Sequence, residues 1–211
     1  MSADARFWNK IAPKYAKSKI RDEDAYRYTL ERTRSYLGAE DSVLELGCGT
    51  GSTAIELARG VKRIIATDLS ATMLEIGRER AWDAGVGNVE FQCCSPGTAP
   101  EGPFDAVLAH NLLHLLPDLE QDLQETAARV RPGGLFISKT PCLGEHRSSW
   151  KHWIFRALIP LMELAGKAPG HVDFISIRRL ETAVQNAGFE IIETGNSPPA
   201  VPSRYLVARR R

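Results

Sequence analysis

The residues of this chain best suited to chemistry lie together in its first third. Glu45-Leu46-Gly47-Cys48-Gly49-Thr50-Gly51 follows the apolar pair Val43-Leu44 and precedes a helical pattern that starts at Ser52. Glycine at alternate positions lets the backbone turn sharply and approach a ligand closely, while the helix behind it offers free N–H groups. Asp68 follows about 20 residues on, at the end of the apolar run Ile64-Ile65-Ala66-Thr67, where a carboxylate can accept both hydroxyls of a ribose. Loop and acid together predict a ribose-bearing ligand held at the end of a strand.

Two ligand classes use such a loop. A dinucleotide fingerprint needs a further small residue, G-x-G-x-x-G/A, to admit a pyrophosphate, and here Ser52 follows Gly51. S-adenosylmethionine (SAM) carries no phosphate and bears a positive sulfonium, which tolerates Glu45 beside the loop where a pyrophosphate would be repelled. The residues favour SAM, with a nicotinamide-dependent oxidoreductase as the alternative.

On the other side of the expected pocket, Ala109-His110-Asn111-Leu112-Leu113-His114 follows a further apolar run, Ala106 to Ala109. Imidazole titrates near neutrality, so His110 and His114 are candidates to orient or deprotonate a second substrate. Glu145, His146 and His152, with the stretch Lys139-Thr140-Pro141-Cys142, offer further contacts from the next strand outward, and His146 joins the two histidines as a catalytic candidate. No catalytic residue is assigned, because a sulfonium methyl is already electrophilic and alignment lowers most of the barrier. A non-catalytic module that only binds SAM is therefore a further alternative.

The elements that must position these groups alternate. Strands are expected at Val43–Leu46, Arg63–Thr67, Val89–Gln92, Ala106–Ala109 and Leu135–Ser138, with helices at Ser52–Arg59, Ala71–Trp82 and Leu119–Val130. Such alternation implies a parallel sheet covered on both faces. The linker from Cys93 to Pro103 contains Pro96, Pro100 and Pro103, which predicts a loop with little or no crossover helix. Phe7 to Leu37 has a helical pattern punctuated by Pro13 and stopped at Gly38, an N-terminal helical cap over residues 1–38. A helix from Ile177 to Ala187, then strands Phe189–Glu193 and Arg204–Ala208 as an antiparallel pair, complete the chain. Residues 141–172 interrupt the alternation. Trp150, Trp153, Ile154, Leu158, Leu161 and Met162 recur there at helical spacing, as expected of a lid that admits a hydrophobic acceptor or touches a membrane surface.

Val43 to Gly51, Asp68, Phe104 to His110, and Arg131-Pro132-Gly133-Gly134-Leu135 together resemble the class I SAM-dependent methyltransferase family over nearly the whole chain. Phe7-Trp8-Asn9-Lys10-Ile11-Ala12-Pro13-Lys14-Tyr15 adds a likeness to its small-molecule, quinone and lipid branch. The resemblance implies a single domain, residues 1–211, with a Rossmann-like, doubly wound α/β sheet of seven strands whose last strand is antiparallel and lies beside the fifth. It further implies that Gly47, Gly49 and Gly51 approach the methionine end of SAM, with Cys48 a common occupant of such loops. By the same likeness Asp68 holds the ribose, Leu69 packs on adenine and Tyr15 closes over the cofactor; apart from the likeness, the place of His110 after the fourth strand lets it pack beside the cofactor in place of a catalytic role. Relatives often carry an acid after the third strand to meet the adenine amino group; Ser95 stands there instead.

Bulk properties narrow the partners. The chain of 211 residues is 43% hydrophobic and has a net charge of +1, which gives no global field toward nucleic acid. A small or amphiphilic acceptor is expected, in a monomer or homodimer. The four cysteines form no C-x-x-C pair, so reduced thiols and no metal site are expected. The charged start and the lack of a stretch of about 20 apolar residues point to a cytoplasmic protein without a transmembrane segment.

Overall fold

A computed structural model describes residues 2–146, 168–196 and 203–211. The expected lid from Trp150 to Ala165, with His152, and the side chain of His146 lie outside the described residues.

Seven strands form one sheet in the order β3-β2-β1-β4-β5-β7-β6. They are β1 (Ser42–Leu46), β2 (Arg63–Asp68), β3 (Val89–Cys93), β4 (Phe104–His110), β5 (Val130–Pro141), β6 (Phe189–Asn196) and β7 (Ser203–Arg210). The first five run parallel; β7 enters antiparallel between β5 and β6. The helices are α1 (Ala3–Lys17), α2 (Glu23–Arg34), α3 (Ser52–Ala58), α4 (Ala71–Asp83), α5 (Leu119–Arg129) and α6 (Ile177–Asn186). This is the Rossmann-like fold that the alternation and the resemblance imply.

Both faces of the central strands are buried, and alternate residues serve opposite cores. Leu44, Ile65, Val107 and Phe136 pack with Leu119 and Leu123 of α5 and Leu180 and Val184 of α6. Val43, Ile64, Ala106 and Ile137 pack on the other face with Leu30 of α2, Leu57 of α3 and Leu74 of α4. Glu45 shares the second face with Val43, so its carboxylate enters the core beneath α2 and α3. Parallel strands bring Leu46, Asp68, Cys93 and His110 to one edge of the sheet.

Two local features depart from the expected pattern, and a third follows it. The N-terminal cap is two helices, broken at residues 18–22 and continuous through Pro13. Ser18 ends α1 by donating both its N–H and its hydroxyl to the Tyr15 carbonyl, and the Asp22 side chain accepts the Ala25 N–H to start α2. At Arg131-Pro132-Gly133-Gly134 the β4–β5 register jumps, so β5 starts at Val130 and a bulge precedes Leu135. Between β3 and β4 only the single turn Pro96–Thr98 stands in place of a crossover helix, as the prolines foretold. Among the described residues no helix is long and apolar enough to cross a membrane.

The glycine loop is seated by Phe91. A Cβ at Gly51, whose φ is +72°, would lie 2.7 Å from the Phe91 ring, and one at Gly77 of α4 would lie 2.8 Å from it. The ring thus fills the space that two bare glycines leave between loop and helix. Gly51→Ala is expected to cost about 2 kcal/mol or more, from left-handed backbone strain together with overpacking against the ring. Urea denaturation measures it; a loss below about 0.5 kcal/mol, the scale of an inert surface change, would mean that the ring yields.

Candidate functional site

A cavity of about 740 Å³ opens at the carboxyl ends of β1, β2, β3 and β4. That is within the range of small-molecule sites, roughly 300–1,000 Å³. Its floor is Gly47, Cys48, Gly49 and Thr50, its walls include Glu45, Asp68, Leu69, Cys94 and Pro96, and its far end is His110 to Leu116 without Leu113. Asp4, Trp8 and Tyr15 of α1 and Tyr26 of α2 close it from above.

The loop is held by its neighbours as much as by its own glycines. Gly47 and Gly49, at φ +64° and +54°, adopt the left-handed backbone that glycine enters without strain. Asp68 receives the Gly49 N–H at 2.9 Å on one carboxylate oxygen and the Ser70 N–H at 2.8 Å on the other. The Cys48 N–H meets the Thr67 carbonyl at 2.9 Å. Arg80 of α4 donates to the hydroxyls of Thr50 and Ser52 and to the Ala16 carbonyl, joining the loop to α4 and α1. Asn9 of α1 accepts from the Ser70 hydroxyl at 2.7 Å, a second tie between cap and sheet.

Burial shapes the electrostatics. Glu45 is 2% exposed, and desolvation lifts its carboxyl to about 8, opposed by the Ala54 N–H and reinforced by the charge of Asp68. One of its oxygens has no hydrogen-bond partner among the described residues. Asp68 is raised by desolvation as well, against the three backbone N–H groups of Ser70, Gly49 and Leu69. Burial lowers His110 to about 4, with Lys139 assisting, and lowers His114 to about 4. Both nitrogens of His110 and Nδ1 of His114 are buried without a partner among the described residues. The acid end of the cavity therefore favours protons or cations, and the histidine end stays neutral at physiological pH.

Of the residues singled out in the sequence, Tyr15, Glu45, Gly47, Cys48, Gly49, Asp68, Leu69, His110 and His114 converge on this one cavity. Gly51 does not line it; its bare Cα makes room for Phe91. Ser95 also lies off the lining, exposed, with its hydroxyl 3.0 Å from that of Thr98. Lys139 is tied to α2 through the Ala25 carbonyl and the Thr29 hydroxyl, and Glu145 accepts the Ile177 N–H at 2.7 Å, which starts α6. Neither Lys139 nor Glu145 faces the cavity, whereas Pro141 does. Sequence reasoning missed Arg80, which has no signature of its own, and Trp8, which could have been found: Asp4, Trp8 and Tyr15 recur at helical spacing within the motif-bearing stretch.

Removing the carboxylate of Asp68 leaves two part-buried N–H groups without an acceptor. Asp68→Ala is expected to destabilise the fold by about 1–3 kcal/mol and to speed hydrogen exchange at Gly49 and Ser70 first. Unchanged exchange at both amides would refute the tie.

A protein-family model described as a methyltransferase domain matches residues 18–194. Demethylmenaquinone methyltransferase of Oceanobacillus iheyensis is 26% identical over 190 residues, covering 82% of this chain and 79% of that protein. The uncharacterized methyltransferase YcgJ of Bacillus subtilis is 32% identical over 104 residues, 47% of this chain, and the match spans 40% of that relative's length. The YcgJ crystal structure superposes with a TM-score of 0.70 at 18% identity, covering 88% of this chain and 99% of that one. Geranyl diphosphate C-methyltransferase of Streptomyces coelicolor, solved with geranyl diphosphate and S-adenosyl-L-homocysteine, gives a TM-score of 0.71 at 16% identity over 90% of this chain and 79% of that one.

Proposed function

The chain belongs to the class I SAM-dependent methyltransferase family, and on that premise we propose that it methylates a small, largely apolar acceptor carrying an O–H or N–H group. Its cofactor is SAM, and the dinucleotide alternative falls with the family. The residues present fit that cofactor. Gly47 and Gly49 put bare backbone on the cavity, and Glu45 turns a buried carboxyl, one oxygen of which has no partner among the described residues, toward a ligand with positively charged groups. In this reading Gly47, Cys48 and Gly49 meet the methionine portion, Asp68 the ribose and Leu69 the adenine, with Tyr15 and Trp8 above. One domain carries the reaction, with residues 1–38 as its cap.

When bound, SAM supplies a methyl group already activated for transfer. What this chain adds is alignment and exclusion of water. Leu112, Leu115 and Leu116 make the far end of the cavity apolar, and His110 and His114 are its polar groups with unpartnered ring nitrogens. A neutral imidazole nitrogen can accept the hydrogen bond of an acceptor O–H or N–H and so hold the reacting atom in place. Because burial keeps both rings deprotonated well below neutrality, that capacity does not depend on pH above about 5.

The single observation that carries the reading is this pairing of apolar lining with two unsatisfied neutral imidazoles. The acceptors printed in the relatives' names, demethylmenaquinone and geranyl diphosphate, also have extended apolar bodies and support the apolar half of that pairing. Calorimetry with SAM and a transfer assay over hydroxylated quinols, isoprenoids and phenols test it. His114→Gln is expected to leave SAM affinity within about twofold and to lower turnover about 10- to 100-fold, the scale of a lost acid–base or orienting contact. Full turnover by that variant on every acceptor the parent uses would remove His114 from the acceptor site.

A further inference from the structure

We propose that Glu45 is the charge sensor of the cofactor cavity: it holds a proton in the ligand-free protein and releases it to solvent when a cationic group of SAM, ammonium or sulfonium, is seated. The inference rests on the reading of this cavity as the SAM site, and it concerns how the site admits charge.

The geometry is that of a carboxyl walled off from water and turned toward the cavity. Glu45 lies near the end of β1, in register with Ala66 of β2 and Leu108 of β4, so apolar strands flank it on both sides. It is 2% exposed and yet lines the cavity. The Ala54 N–H at the start of α3 reaches the carboxyl, and Oε2 has no partner among the described residues. An ionised carboxylate in such a place carries a desolvation cost that one N–H does not offset.

The neighbours sharpen the point: Lys19, Arg21 and Arg80 line the same cavity, yet among the described residues the titratable groups coupled to Glu45 are acids. Asp68 comes from β2, Cys48 from the loop, Tyr15 from α1 and Tyr26 from α2. The cation among the loop's partners, Arg80, is engaged by Thr50, Ser52 and the Ala16 carbonyl. Among the described residues no Lys or Arg forms an ion pair with Glu45 or Asp68. A buried Glu45 and a part-buried Asp68, neither ion-paired to a cation among the described residues, keep one proton between them; a cation delivered by the ligand takes its place.

The sign follows from the raised affinity of Glu45 for its proton, to about 8. Below that pH the free protein carries the proton and must lose it on binding, so SAM affinity rises with pH and levels off above it. The limiting slope is about tenfold per pH unit. The same displacement lowers the stability of the ligand-free protein as pH rises from the ordinary carboxylate range through the raised value.

Calorimetric titration of the full chain at pH 6.5, in buffers of different ionisation enthalpy, counts the protons directly. Close to one proton released per SAM is expected, with SAM affinity climbing between pH 6 and 8. S-adenosylhomocysteine, which keeps the ammonium and lacks the sulfonium, separates the two sources: release with both ligands assigns the ammonium, release with SAM alone assigns the sulfonium. Glu45→Gln is expected to bind SAM without proton release and with a flat pH profile, and to lose the fall in ligand-free Tm between pH 5 and 8. The buffer series on the unmodified chain decides even where that variant does not fold. Tight SAM binding with no proton exchanged in any buffer overturns the proposal while leaving the methyltransferase reading in place; absence of SAM binding overturns both.

Discussion

Three left-handed residues within five positions cannot be held by a loop alone, and the fold solves this by fastening the loop to the next strand. The bond from the Gly49 N–H to the Asp68 carboxylate is the central fastening, because Asp68 simultaneously receives the Ser70 N–H where α4 begins. One side chain thereby fixes where β1 ends relative to where α4 starts. Arg80 repeats the tie from the far side of the loop, and Phe91 props it from below between Gly51 and Gly77. The glycines face in different directions: Gly47 and Gly49 toward the cavity, Gly51 toward the core. A motif that looks uniform in sequence divides its duties between ligand access and packing.

The cavity built on this loop is divided by charge. At one end a buried Glu45 and a part-buried Asp68 meet backbone N–H groups and, among the described residues, no ion-paired cation; at the other, His110 and His114 are neutral among leucines. SAM, with a cationic sulfonium and a ribose diol, fits the first end. The second end is lined by Leu112, Leu115, Leu116 and the two imidazoles, which suits an uncharged reacting group. Position within one sheet produces both environments, since every one of these residues sits at the carboxyl end of a parallel strand or just beyond it.

Much of this was legible in the sequence because strands and helices here obey their periods. Strand β1 reads as an apolar run broken by Glu45 since both its faces are buried, and the prolines between Cys93 and Pro103 disfavour a crossover helix by chemistry alone. Asp68 was found from its distance to the loop. The break at residues 18–22 was not, because it is made by two caps, at Ser18 and Asp22, with no proline or glycine to mark it. Pro13 drew attention instead, yet α1 accommodates it without interruption. Lys139 and Glu145 looked available because their types are chemically capable; contacts more than 30 residues away in sequence for Glu145, and more than 100 for Lys139, occupy them. Local pattern identifies candidates, and long-range hydrogen bonds decide which of them are free.

Burial of ionisable groups at the site also bounds the pH at which the ligand-free chain is comfortable. His110 and His114 bind protons less readily folded, at about 4, than unfolded, near 6.5, so the unfolded chain gains protons first on acidification. Stability is lost as pH falls through that interval. Glu45 behaves oppositely: its proton is held more tightly in the fold, and stability is lost as pH rises from about 4.5 toward 8. The two intervals overlap between roughly pH 4.5 and 6.5, where the opposing slopes compete. A bound cation relieves the Glu45 side only, because it stabilises the ionised carboxylate and does nothing for a buried imidazolium. Cofactor binding is therefore expected to widen the stable range upward in pH and to leave the acid limit where the two histidines set it.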